Sequence, residues 1–192
     1  MQFTLTDLQK EIKENSKRLL NENIDLLETI QKADDNCRID KKVWDLVIDQ
    51  GWLALDVPEE DGGLGFSNTD TAILSEVLGY YMPIIPIFSS GIVFKHILMN
   101  SLKDKKEELL PEIISGEKIG TFAVYESNKY EINQDTINTQ LTTLDSGFVL
   151  NGNKKYVMFG DVSDYIAVLA KHEDGYKFVL VSSDSDGVTV KE

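Results

Sequence analysis

The sequence predicts an α+β protein, helical as far as Gly116 and then an antiparallel β domain, a sandwich or barrel, from about Ile119. Three observations carry this. Apolar residues before Gly116 recur at helical spacing, whereas Ile119, Phe122, Val124, Ile137, Leu141, Phe148, Leu150, Tyr156 and Val157 fall at strand spacing. Ser146-Gly147, Asn151-Gly152, Asp174-Gly175 and Asp186-Gly187 mark turns. No helical pattern separates the strands, and such close spacing favours antiparallel pairing. The implied domains are residues 1–116 and 117–192. The groove where they meet is a favoured place for a cofactor or substrate, with Phe122–Glu126 and Tyr156–Phe159 on its walls.

Thr6-Asp7-Leu8-Gln9 has the form of a capping box, so a first helix starts there. Leu8, Ile12, Leu19, Ile24, Leu27 and Ile30 lie along one face of it, and Asp34-Asp35-Asn36 breaks it. A second helix runs from about Asp40 to Gly51, with Val43, Trp44, Val47 and Ile48 as its buried stripe. Trp52 to Val57 has extended character, and Pro58 bars a helix. Gly62-Gly63 and Gly65 then punctuate a loop. Its glycines do not match a phosphate-loop spacing and its charge is acidic, so a structural turn is the better reading.

Ser67 to Asp70 offers N-caps for a third helix carrying Ile73, Leu74, Val77 and Leu78. Ile84 to Met99 is very apolar and reads as a central helix, with Ser89-Ser90-Gly91 small enough for a backbone or ligand to approach closely. A charged helix from Asp104 to Ser115 closes the helical half, Pro111 lying inside it. Six strands are expected after it: Thr121–Glu126, Asp135–Leu144, Phe148–Val157, Tyr165–Lys171, Tyr176–Val181 and Val188–Lys191.

Composition excludes several classes of function. The 192 residues are 42% apolar, enough for a real core, and carry a formal charge of −14. No basic cluster is interleaved with aromatics, so nucleic acid is not an expected partner. A single cysteine, Cys37, and two distant histidines, His96 and His172, give no zinc-site spacing, and no metal is expected. His96 reads as a core or rim residue. There is no apolar run of membrane-spanning length and the N-terminus is not a signal peptide, so a cytoplasmic location is expected.

Several stretches together resemble the acyl-CoA dehydrogenase family. Trp52–Gly65, read GWLALDVPEEDGGLG with Gly51, is similar to that family's V-P-E-x-x-G-G-x-G loop. Leu109-Leu110-Pro111 with Gly116-Glu117-Lys118-Ile119-Gly120 resembles its lead into the β domain. Phe122-Ala123-Val124-Tyr125-Glu126 stands where the family has its A-L-T-E-P strand, and Leu150-Asn151-Gly152-Asn153-Lys154 matches L-N-G-x-K. The resemblance runs the length of the chain.

It implies an N-terminal helical domain and the middle β domain of a flavoenzyme that uses FAD to desaturate an acyl-CoA thioester. Homo- or hetero-oligomers are expected, with acyl-CoA or a related thioester as substrate. In the family the catalytic carboxylate comes from a further C-terminal helical domain, so these residues are expected to be incomplete alone and no catalytic residue is assigned. The flavin-facing positions carried over are Phe122, Val124, Tyr125, Glu126, Glu131, Tyr156 and Met158.

Several of these depart from the family pattern. Tyr130-Glu131 replaces Gly-Ser, bringing a side chain and a negative charge toward a pyrophosphate. At about 4 Å such a like-charge contact costs about 4 kcal/mol. Met158 replaces a threonine and loses its hydroxyl. The alternative expectation is therefore a non-catalytic subunit or interaction module that keeps the fold and has lost FAD.

Overall fold

The computed structural model describes residues 4–128, 132–133, 135–145 and 147–191. By compactness the chain forms two units, Met1–Ile85 and Pro86–Glu192.

In the first unit, α1 (Asp7–Asn23) starts at the expected capping box: the Thr6 hydroxyl accepts from the Gln9 backbone, and the Gln9 side chain accepts from Thr6 N–H. The single helix expected to reach Ile30 is in fact two. Ile24 is extended, at φ −118 and ψ 124, and Asp25 opens α2 (Leu26–Asp34) by accepting from the N–H groups of Leu27 and Glu28. A carboxylate that satisfies two orphan donors favours a fresh start over continuation. The apolar stripe is lost with it, and Leu27 stands 77% exposed.

The next helix, α3 (Lys41–Asp49), is capped by Asp40, which also accepts from Lys32 Nζ at 2.8 Å. It buries Val43, Trp44 and Val47, and Gly51 follows at φ 67. The stretch after it is not extended: Trp52–Ala54 and Glu59–Asp61 form short 3-10 turns. Gly63 explains why. A Cβ there would lie 2.1 Å from the Val57 carbonyl oxygen, so the loop folds back on itself. The N–H groups of Gly63, Leu64, Gly65 and Phe66 donate to the carbonyls of Pro58, Ala54, Val57 and Leu55. Those donors are used inside the loop, as a structural turn requires.

Ser67 caps α4 (Asn68–Tyr81) reciprocally with Asp70. The second Asp70 oxygen accepts from Gln9 Nε2 of α1 at 3.0 Å. Burial pushes the Asp70 carboxyl up, but the Ser67 and Gln9 donors outweigh it and hold it below its ordinary value. Lys13 with Glu76, and the Tyr81 hydroxyl on the Lys17 carbonyl, extend the α1–α4 seam.

The second unit begins with a π-helical stretch, Ile87–Phe94, that runs into α5 (Lys95–Ser101) and then α6 (Lys103–Ile114). Ser89, Ser90, Gly91 and Phe94 are buried. The close approach expected at Ser89-Ser90-Gly91 is made by backbone: Ser90 Oγ accepts from Gly120 N–H at 3.0 Å. Gly120 opens strand β1 (Gly120–Ala123), and a Cβ on it would sit 2.1 Å from the Phe94 ring. The absence of a side chain at Gly120 sets how closely helix and sheet meet.

The other strands are β2 (Gln140–Leu144), β3 (Gly147–Asn151), β4 (Tyr165–His172) and β5 (Gly175–Ser182). The described strands form one sheet in which β4 is central. It pairs antiparallel with β5 along its whole length, parallel with β1 over Tyr165–Val168, and parallel with β2 at Gln140↔Lys171, while β2 and β3 form an antiparallel hairpin.

The α+β class stands, but the sheet is mixed where an antiparallel one was expected. The parallel β1–β4 pair needs a long crossover. Here the β2–β3 hairpin lies within that crossover, where a helix would be usual, so strand spacing alone gave no sign of it. The expected sixth strand, Val188–Lys191, is irregular, and the expected strands at Thr121–Glu126, Asp135–Leu144 and Phe148–Val157 are shorter. Ala123, Ile166 and Val168 form one buried cluster, against which Leu150, Val157 and Val181 pack.

Candidate functional site

The expected groove residues fall in the second unit, on two neighbouring segments, 121–128 and 154–160. Four sets of contacts hold the segments together. The buried Thr121 hydroxyl donates to the Met158 carbonyl at 2.6 Å. Lys155 N–H donates to the Tyr125 carbonyl at 2.7 Å. Lys154 Nζ meets Glu126 Oε1 at 2.6 Å and the Val124 carbonyl at 3.3 Å. Asn128 Oδ1 accepts from Lys155 Nζ at 3.0 Å and from the Tyr156 hydroxyl at 3.2 Å.

Glu126 is the anchor of this arrangement. Besides Lys154, its carboxylate accepts from Asn138 N–H at 2.6 Å, Thr139 N–H at 3.0 Å and the Thr139 hydroxyl at 2.7 Å. Burial opposes its ionisation, but the Lys154, Thr139 and Asn138 donors together outweigh burial and lower its pKa to about 2. Burial likewise pulls the Lys154 ammonium down, with Glu126 acting against it. The pair is internal and ionic, and its carboxylate is saturated by this chain's own donors. Gly152 belongs to the same joint, since a Cβ there would lie 2.7 Å from Thr139 Cα.

The other predicted residues form the surface this anchor supports. Phe122 meets Phe88 edge to face, with ring centroids 6.3 Å apart. Val124 is buried and Tyr125 half-buried beside it. Tyr156 is 53% exposed and Met158 44% exposed, so both large side chains stand at the surface. Tyr156 and Phe159 both hold positive φ, at 55 and 54. Such conformations are costly for bulky residues and gather where a chain is shaped for a purpose. The turn is fastened behind them by Ser163 Oγ on the Phe159 carbonyl at 2.6 Å. Tyr130 and Glu131 lie outside the described residues.

Sequence reading missed Thr121, Asn128, Thr139 and Lys155, and missed what Lys154 pairs with. At the β4–β5 turn, ligand-type atoms of His172, Glu173 and Asp174 lie within 4.8 Å of one another. Asp174 is engaged by Lys177 at 3.3 Å and His172 by Thr143 at 3.1 Å. No described helix is long and apolar enough to cross a membrane.

Comparison with known proteins gives a consistent picture. Residues 6–117 match the family model described as acyl-CoA dehydrogenase, N-terminal domain. The chain is 29% identical over 174 residues to a mitochondrial 2-methylacyl-CoA dehydrogenase of Solanum tuberosum, covering 87% of this chain and 41% of that protein. It is 28% identical over 197 residues to a benzylmalonyl-CoA dehydrogenase of Aromatoleum aromaticum, covering 99% and 51%. Among solved structures, the ChsE4-ChsE5 complex from Mycobacterium tuberculosis superposes with a TM-score of 0.88 at 22% identity, covering 100% of this chain and 51% of that one. At that identity the likeness concerns fold, and the chain spans about half the length of the relatives it matches. The family model covers more than half of the chain, and the chain belongs to the acyl-CoA dehydrogenase family.

Proposed function

We propose that these residues form the front wall of a flavin site in an acyl-CoA dehydrogenase-type flavoprotein, acting on the CH–CH bond of an acyl thioester. The observation that carries this is the exposed pair Tyr156 and Met158, held on a positive-φ turn against the segment 121–128. A flavin has a flat, largely apolar ring and an anionic phosphate tail. The residues present fit both: Tyr156, Met158 and Phe122 for the ring, and Lys155 with Asn128 for the tail.

Bound FAD would supply hydride acceptance. The chain's own residues bind and orient. Glu126 and Lys154 fix the segment that carries Phe122 and Tyr125, and Thr121 fixes the carbonyl of Met158. Glu126 is the single carboxylate on the two segments as described, and a carboxyl held at about 2 is too weak a base to take a proton near neutrality. The base for the α proton therefore comes from outside these two segments.

The test is direct: purify the chain, record its visible absorbance, and titrate it with riboflavin and with FAD. Flavin absorbance or saturable riboflavin binding supports the reading. A folded chain that binds neither supports the alternative of a non-catalytic subunit. Met158 in place of threonine favours that alternative, because the hydroxyl at this position is gone.

A further inference from the structure

Lys155, on the surface of the second unit, has an amide for its partner. Lys10, Lys13, Lys32, Lys41, Lys105, Lys118, Lys154 and Lys177 each have a carboxylate partner. Lys155 instead meets a neutral amide, Asn128 Oδ1, at 3.0 Å, and among the described residues no carboxylate pairs with it.

The amide has its own orientation. The Tyr156 hydroxyl also reaches Asn128 Oδ1, at 3.2 Å, so that oxygen lies between two donors and the Asn128 NH2 group faces away from them. No acceptor among the described residues takes that NH2. The ammonium carries three N–H donors, and Asn128 uses one. One corner therefore gathers a cation and a spare amide donor, and among the described residues no carboxylate pairs with that cation. Glu126, two residues before Asn128, is paired with Lys154.

We propose that Lys155 and Asn128 form a phosphate-binding corner that takes a phosphoryl oxygen of a bound nucleotide, with the Tyr156 hydroxyl setting the amide. A phosphate accepts charge-assisted hydrogen bonds from an ammonium and a further bond from an amide, whereas a carboxylate-lined surface would repel it. The phosphoryl group belongs either to a flavin dinucleotide or to coenzyme A, and the chemistry of the corner is common to both. In the first case the inference rests on the flavin reading above; in the second it stands without it.

The experiment titrates the full chain with riboflavin, FAD and coenzyme A by calorimetry at two salt concentrations. Lys155→Ala, Lys155→Arg and Asn128→Ala are compared with the unmodified chain after circular dichroism has shown the same fold. Lys155→Ala is expected to weaken the phosphorylated ligand about tenfold, to leave riboflavin unchanged and to reduce the salt dependence, with Lys155→Arg restoring most of the affinity. Asn128→Ala should weaken the same ligand less. Loss confined to FAD identifies the dinucleotide as the source, and loss confined to coenzyme A identifies the thioester carrier. Equal affinity of Lys155→Ala and the unmodified chain for both ligands overturns the corner while leaving riboflavin binding, and so the flavin reading, intact. An equal loss of riboflavin overturns it too, because the effect is then not on phosphate. Failure of the unmodified chain to bind FAD or coenzyme A also overturns it, and only if riboflavin fails as well does the flavin reading fall.

Discussion

Lys154 Nζ lies 2.6 Å from Glu126 Oε1, and both side chains are 8% exposed. The two residues are 28 apart in sequence and join the segments that carry every described candidate ligand-facing residue. A pair this buried gives modest net stability when intact, because desolvation offsets much of the attraction. Breaking it by removing one partner is another matter, since the other charge is left buried without its counter-charge, although Glu126 keeps its bonds from Asn138 and Thr139.

Lys154→Met is therefore expected to destabilise the chain by about 3–5 kcal/mol. The double variant Glu126→Gln with Lys154→Met should lose less than the sum of the single losses, because no charge is then stranded. Urea unfolding of the three variants and the unmodified chain measures this coupling. Additive losses would show that the pair does not act as a unit.

Acid should loosen the same joint. The folded Glu126 carboxyl lies at about 2, below its ordinary 4.5. A depressed carboxyl contributes stability that is present above its unfolded pKa and is lost as pH falls through the folded one. The chain should lose stability between about pH 4.5 and pH 2, by no more than about 3 kcal/mol from this group. Glu126→Gln should flatten that part of the stability profile. An unchanged profile in the variant would assign the acid sensitivity to other carboxylates.

What could be read from the sequence was mostly local. Thr6, Asp40, Ser67 and Gly51 were legible as helix ends because capping depends on residues within one turn. Asp25 was not, since the apolar spacing runs through it without a break and only its side chain shows that the helix restarts. Tyr156, Met158 and Glu126 were singled out by resemblance as flavin-facing, and Lys154 lay in the L-N-G-x-K motif with no role assigned to it. The pairing of Glu126 with Lys154 was not legible, because nothing in either motif says which distant residue it faces. Thr139 and Asn128 have no pattern at all. The parallel β1–β4 pair is likewise a long-range fact, set by where β4 returns after the hairpin.

Two glycines with opposite surroundings test the packing. Gly120→Ala would place a Cβ 2.1 Å from the Phe94 ring, which is fully buried and cannot withdraw. Overpacking of this kind should cost about 1–3 kcal/mol. At Gly79, inside α4, a Cβ meets nothing within 4 Å. Gly79→Ala should stabilise the helix by about 0.5–1 kcal/mol. Thermal unfolding of both variants decides the matter, and a gain at Gly120 would mean that the helix can back away from β1.

Tyr156 separates stability from binding most sharply. It holds φ 55 with its side chain 53% exposed, so it combines backbone strain with little burial. Tyr156→Gly relieves a left-handed conformation worth about 1–2 kcal/mol in a residue with a Cβ. Against this stand the added freedom of the unfolded chain, about 0.4–1 kcal/mol, and the lost hydroxyl bond to Asn128. The terms nearly cancel, and unfolding midpoints should give a stability within about 1 kcal/mol of the unmodified chain. Riboflavin binding should fall by about tenfold or more, because the ring that would pack on the ligand is gone. Tyr156→Phe should keep the riboflavin affinity. If Tyr156→Gly instead loses several kcal/mol and binds riboflavin normally, the exposed ring serves the fold and the front-wall reading fails.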